Sequence, residues 1–234
     1  MPKPYFALNL DVVGKPCLVI GGDGEALEKS ERLLEAQADL LVVAKRANPE
    51  LTAYLAKFPN ARLELREVTP ADIEGKFFVL NCVKTDPPLS EWVYAKSLEQ
   101  HAIISAYDQP KVSNAVMMGL VRAGKLRITI ASNGASPGLV GAVKVALEKL
   151  FGTKEFATFS DSVAEQRQCQ IDKGRTPKER KYRFNQQLRE LNIEGKITYP
   201  TEYLKNLKYG VEQRADGLWW RKDKKKGWWE RLFG

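Results

Sequence analysis

Gly21, Gly22 and Gly24 stand directly after a short apolar run, Cys17–Ile20. Behind them Ala26, Leu27, Leu33, Leu34 and Ala36 fall on one face of a helix. A glycine turn between a strand and a helix aims several backbone N–H groups at one point, and the helix dipole adds to their pull on an anion. That chemistry holds the pyrophosphate of a dinucleotide. The spacing G-x-G-x-x-A needs glycine at 21 and 23 with Ala26 at the close-packing position, and residue 23 is aspartate. Moving the frame to Gly22-x-Gly24 puts Leu27 at that position instead. A carboxylate at Asp23 repels a pyrophosphate unless it points outward. A tight turn without any ligand uses the same glycines.

Other residues could serve the same site. Glu25 and Ala26 open the helix. A second apolar run, Leu40–Val43, ends at Ala44 and is followed by Lys45 and Arg46. No acidic residue stands there to accept ribose hydroxyls, which permits NADP; two basic residues at a solvated strand end are the plain alternative. Val83, Lys84 and Thr85 follow a strong strand pattern over Phe77–Val83, and Thr85 there could touch the nicotinamide side of a cofactor.

Asp108 lies just past a strand expected at Ala102–Ala106, at the carboxyl edge where open sheets bind ligands. It could accept a proton, or simply start a turn before Gln109-Pro110. Ser132, Asn133, Gly134 and Ser136 form a polar loop before a helix, with Asn114 facing the same junction. They could offer donors to a substrate carboxylate, or only cap and turn the chain. His101 is the single histidine and follows a helix, where it serves as an end cap or as a metal ligand or proton shuttle. The absence of a His/Cys cluster argues against a tightly held structural metal.

These residues require a scaffold. Strand and helix patterns alternate from 16 to 110, with further helices at Leu51–Phe58, Pro70–Ile73 and Leu89–Gln100 and a strand at Ala61–Arg66. The expected fold is α/β: a Rossmann-like parallel sheet with helices on both faces. Ser113–Val121 reads as a helix ended by Gly124, and Leu126–Ala131 as a strand. Ser136-Pro137 is a clean helix start for a segment reaching about residue 151. We expect a dinucleotide domain at 1–112, a linking or dimerisation segment at 113–152, a small helical domain at 153–213 and a tail at 214–234.

The 234 residues carry a formal net charge of +8, with 44% apolar and 28% charged residues, an ordinary globular mix. The charge is uneven: residues 173–234 hold 17 Lys plus Arg against 8 Asp plus Glu. Four of the five Trp (Trp219, Trp220, Trp228, Trp229) also lie in that tail. Interleaved aromatics and bases can stack nucleobases or touch a membrane surface, yet no zinc-finger or helix-turn-helix pattern accompanies them. Three cysteines are too few for a disulfide scaffold, and Cys17 and Cys82 read as small buried hydrophobes. No apolar run spans a bilayer and no secretory signal opens the chain, so a cytoplasmic location is expected.

Several short motifs resemble, in order, the siroheme synthase amino-terminal family: precorrin-2 dehydrogenase with or without sirohydrochlorin ferrochelatase activity. They are Tyr5-Phe6, Leu10-Asp11, Gly14-Lys15, Val19–Ala26 with Lys29, Lys84-Thr85-Asp86-Pro87, Ala106-Tyr107-Asp108, Arg122-Ala123-Gly124, Leu126–Ile130 and Ala131–Pro137. Together they cover roughly residues 4–151. Asp23, Glu28 and Lys84 depart from the family's glycine, arginine and threonine. The resemblance implies NAD as hydride acceptor despite Lys45 and Arg46, with Asp108 used in both oxidation and chelation. It also implies a homodimer, a carboxylate-rich tetrapyrrole substrate and, in some members, Fe²⁺ as chelation substrate. Arg122 and Arg127 are then candidates for the substrate's carboxylates, as are Arg175, Lys178, Arg180, Lys181 and Arg183. Two rival readings stay open: a chelatase or tetrapyrrole-binding protein whose NAD site is impaired by Asp23, and a nucleotide-sensing regulatory or nucleic-acid-binding protein using the basic tail.

Overall fold

Alternate residues of the first strands turn to opposite faces of one sheet, and both faces are covered. In the computed structural model, residues 5–197, 211–213 and 219–221 are described. The first four strands and their helices are β1 (Pro16–Ile20), α1 (Gly24–Glu35), β2 (Asp39–Ala44), α2 (Pro49–Leu55), β3 (Ala61–Leu65), α3 (Pro70–Ile73), β4 (Phe78–Asn81) and α4 (Pro87–Glu99). β5 (Ile103–Ala106) completes a parallel sheet of order β3-β2-β1-β4-β5. On one face Cys17, Val19, Leu40, Val42 and Leu80 pack with Ala26, Leu33 and Leu34 of α1 and Leu51 and Leu55 of α2. On the other, Leu18, Ile20, Leu41, Val43, Val79 and Ile104 pack with Ile73 of α3 and Val93 of α4. Each buried Leu, Ile or Val among them contributes about 1.5–3 kcal/mol by leaving water. This is the Rossmann-like α/β arrangement the sequence pattern predicts.

After β5 the expectation of a helix over Ser113–Val121 fails. The chain instead runs along the free edge of β5. The N–H of Ala106 donates to Ser113 Oγ at 2.9 Å, and that of Ile104 to Asn114 Oδ1 at 2.8 Å. The carbonyl of Ile104 accepts from the N–H groups of both Asn114 and Ala115. Satisfying that edge keeps 113–118 out of a helix. β6 (Gly119–Ala123) then pairs antiparallel with β7 (Leu126–Ile130). Arg32 of α1 donates to the Met118 carbonyl at 2.7 Å, and Arg122 pairs with Glu35 at 2.8 Å, so the hairpin is tied to α1.

α5 (Pro137–Phe151) starts as expected, with Ser136 Oγ accepting from the N–H of Leu139 and Pro137 at the first helical position. It packs on β6 through Val140, whose Cγ1 would lie 3.0 Å from a Cβ at Gly119. No residue of α5 is buried. Leu139, Val143, Ala146 and Leu150 share one exposed stripe.

α6 (Lys154–Asp172) and α7 (Pro177–Gln187) follow; a reciprocal Thr176–Glu179 capping box starts α7. Two compact units divide inside α6: one is Pro2–Ser160 and the other begins at Asp161. β8 (Val211–Gln213), at the end of the segment expected to be helical, and β9 (Trp219–Arg221), in the expected tail, form an antiparallel pair. The expectations for the rest of 214–234, including Trp228, Trp229 and Lys222 to Lys226, lie outside the described residues. Among the described residues no helix is long and apolar enough to cross a membrane.

Candidate functional site

The sheet order reverses direction between β1 and β4, and a crevice opens at their carboxyl ends. A cleft of about 550 Å³ lies there, lined by Gly21–Gly24, Arg46–Asn48, Cys82–Thr85 and Tyr107. A second, of about 540 Å³, shares Gly21, Gly22, Arg46, Val83 and Thr85 and extends over Ala44, Lys45, Arg66, Glu67, Asp86 and Leu89. Gly21, Gly22, Asp23, Gly24, Ala44, Lys45, Val83, Lys84 and Thr85, all anticipated as cofactor contacts, thus converge on one region.

The turn itself is built for close packing. Gly21 has φ +127°, a conformation that favours glycine. A Cβ at Gly22 would stand 1.9 Å from the Arg46 carbonyl oxygen and 2.8 Å from Ala47 Cα. Gly22 O accepts from the N–H of Asn48 at 2.8 Å, fixing the β2–α2 loop against the turn. A Cβ at Gly24 would meet nothing within 4 Å, so that position faces open space.

Asp23 does not point away. It is the N-cap of α1, and its Oδ1 accepts from the N–H groups of Glu25 and Ala26, each at 3.1 Å. Of the remaining donors in the turn, the N–H groups of Gly22 and Asp23 have no protein acceptor among the described residues. The cleft, the turn and these donors fit a dinucleotide, while the first-turn donors of α1 are already engaged.

The far wall is set by β4 and β5. Asn81 is buried, and its side chain accepts from the N–H of Val83 at 3.0 Å and donates to Ser90 Oγ at 3.0 Å. Ser90 in turn donates to the Val83 carbonyl. Asp86 caps α4 by accepting from the N–H of Leu89. Asp108 follows β5 with φ 56°, in the left-handed region that aspartate tolerates. Its carboxylate is largely exposed and lies 3.7 Å from Lys84 Nζ. Lys84 also sits over the Tyr107 ring, 5.2 Å from its centroid, with Lys29 on the same ring at 6.0 Å. The Glu25 carboxylate beside the Tyr107 hydroxyl raises the phenol's pKa. Glu25 also pairs with Lys29 at 3.3 Å, and Ala26 is fully buried under the turn. Burial opposes the charge on Glu28, yet Lys29 and Arg32 hold its carboxyl below the usual range.

Elsewhere in the cleft, Lys45 pairs with Glu67 at 2.8 Å, and Arg66 grips Asp72 with both terminal nitrogens. Burial pushes the Cys82 thiol up to about 12 and the Cys17 thiol up to about 11, so neither is a nucleophile.

The anticipated substrate residues line neither cleft. Asn114 closes the edge of β5. Ser132 to Gly134 make a tight turn, with the Ala135 N–H on the Ser132 carbonyl and both Asn133 and Gly134 at positive φ. Ser136 caps α5. Arg122 is engaged by Glu35, and Arg127 donates to the Gly124 carbonyl. His101, at φ 55°, ends α4 with its N–H on the Leu98 carbonyl, the capping option. Asn48 and Tyr107 line the first cleft without having been singled out as contacts, Arg46 lines it where the sequence showed only a basic strand end, and Asn81 organises it. A lone polar residue inside the apolar run FFVLNCV was the available signal for Asn81.

Residues 8–118 match the profile of a family described as "Putative NAD(P)-binding". A siroheme synthase of Actinobacillus succinogenes is 28% identical over 146 residues, 62% of this chain and 30% of that protein. Siroheme synthase 3 of Aeromonas hydrophila subsp. hydrophila is 31% identical over 147 residues, 62% of this chain and 31% of that protein. This chain is related to the amino-terminal part of the siroheme synthases. It spans about 30% of the length of those relatives. The solved structure of SirC, precorrin-2 dehydrogenase, superposes with a TM-score of 0.67 at 20% identity, covering 87% of this chain and 99% of that one. That likeness is one of fold.

Proposed function

We propose that this chain oxidises precorrin-2 to sirohydrochlorin with NAD, as the names of its siroheme synthase relatives and of SirC suggest. The observation that carries the reading is the convergence of the glycine turn, the β4 loop and Asp108 on the switch point of an NAD(P)-binding sheet. When bound, the nicotinamide accepts the hydride. Gly22, Asp23, Arg46 and Asn48 line the side where the pyrophosphate and adenosine belong, and Val83 to Thr85 the nicotinamide side. The oxidation removes one hydride and one proton. Asp108 accepts that proton as general base, with Lys84 beside it. The exposed carboxylate, held by a left-handed turn at the rim, stands where a large macrocycle can reach it.

In the same reading the apolar stripe of α5 is the contact to a second copy. The protein works in the cytoplasm, and residues 1–112, 113–152, 153–213 and 214–234 divide its tasks as the sequence pattern indicates. Fe²⁺ insertion is a second activity for the same carboxylate, since it too requires proton loss from the macrocycle. The test is an anaerobic reaction of the chain with precorrin-2 and NAD, followed by absorbance. NADH should form and should not form with D108A; Fe²⁺ is then added to the same sample. Folded protein that yields no NADH from active substrate overturns the dehydrogenase reading.

A further inference from the structure

Resting on the dinucleotide reading of the first cleft, we propose that Asp23 sets the affinity of this chain for its cofactor by occupying the donors a pyrophosphate would use. The Asp23 carboxylate is already bonded to the first-turn N–H groups of Glu25 and Ala26. A dinucleotide entering between Gly22 and Gly24 brings two negative phosphates to the same helix end. It therefore has to displace a carboxylate from bonds that satisfy otherwise orphaned donors, or bind beside it against like-charge repulsion. The cations of α1 do not relieve this. Lys29, the cation one turn further along α1, is taken up by Glu25 and Glu28, and Arg32 by Glu28 and the Met118 carbonyl. Arg46, with no carboxylate partner among the described ion pairs, is a lining residue left to meet a phosphate. Gly24 has open space above it, so the turn has room for the ligand once the carboxylate swings aside.

Aspartate at 23 thus favours the empty protein, and the cofactor binds only as far as it competes. Glycine at this position keeps acceptable N-cap behaviour and frees both donors; asparagine keeps the cap and removes the charge.

Calorimetric titration of the full chain with NAD, in parallel for wild type, D23G and D23N, tests this without relying on turnover. D23G should bind at least about tenfold more tightly than wild type, about 1.4 kcal/mol, with D23N between them. Thermal melts confirm that each variant is folded and should show a larger NAD-induced rise in Tm for D23G. Equal, measurable affinity of wild type and D23G overturns the role of Asp23 and leaves the dinucleotide reading intact. If no variant binds NAD while all are folded, the dinucleotide reading itself falls, and the role of Asp23 with it.

Discussion

Gln109 Nε2 donates to the backbone carbonyl of Val83 at 3.1 Å, clipping the loop that carries Asp108 to the loop that carries Lys84. The relative placement of the proposed base and its lysine neighbour is held by this clip, by the Tyr107 N–H on the Asn81 carbonyl at 2.8 Å, and by the Asn81 side chain beneath them. Replacing Gln109 by Leu should lower kcat about tenfold while leaving the melting temperature nearly unchanged, because misplacing a reacting group costs rate rather than fold. Steady-state NADH formation and a thermal melt on the same preparation check both halves.

Asn81 should behave differently. It is buried in the central region of the sheet, and its amide satisfies both Val83 and Ser90. N81L leaves the Val83 N–H and the Ser90 hydroxyl short of a partner and should cost about 1–3 kcal/mol of stability. Urea unfolding measures the loss.

The Asp72 carboxylate is held down to about 2, chiefly by Arg66 and further by Thr69. A carboxyl whose folded pKa lies below its unfolded value stabilises the fold at pH values above the unfolded one, near 4. That stability is lost as pH falls from about 4 through about 2. D72N should be less stable at pH 7 and should show a flatter loss over that acid window, as read from melts across pH.

Gly22 and Gly24 sit two residues apart in the same turn with opposite tolerances. G22A pushes a methyl into the Arg46 carbonyl and should destabilise by about 1–3 kcal/mol or more. G24A meets nothing within 4 Å and should shift stability by less than about 1 kcal/mol. Denaturant midpoints of the two variants make the comparison.

Leu139 and Val143 lie on the exposed stripe of α5. The double substitution L139E/V143E should leave the sheet domain folded and convert the proposed dimer to monomer, read by analytical ultracentrifugation with a circular dichroism control. A wild-type chain that sediments as a monomer contradicts the dimer assignment.

The parallel sheet was legible because β1, β2 and β4 are buried on both faces and read as continuous apolar runs, and the start of α5 because Ser136 is a side-chain cap beside a proline. The hairpin at β6 was not. Met117, Met118 and Val121 suit a helix as readily as a strand, and what decides against the helix is the edge of β5, a distant partner that local pattern cannot display. The glycine turn and strand-end residues that line the cleft were legible for a related reason: glycine turns and strand ends are local. The contacts of Arg122 and Asn114 were not, since Glu35 and the backbone of β5 engage them, and neither contact is visible along the chain.

The close approach of Gly22 to the Arg46 carbonyl has a consequence for descent. Selection for folding alone retains glycine there, whatever the crevice binds. A lineage that abandoned its cofactor would keep Gly21 and Gly22 as faithfully as one that depends on it. The glycine pair is thus a record of ancestry, and the residues free to register a change of use are the next two, 23 and 24. In this chain one of those two is already an aspartate.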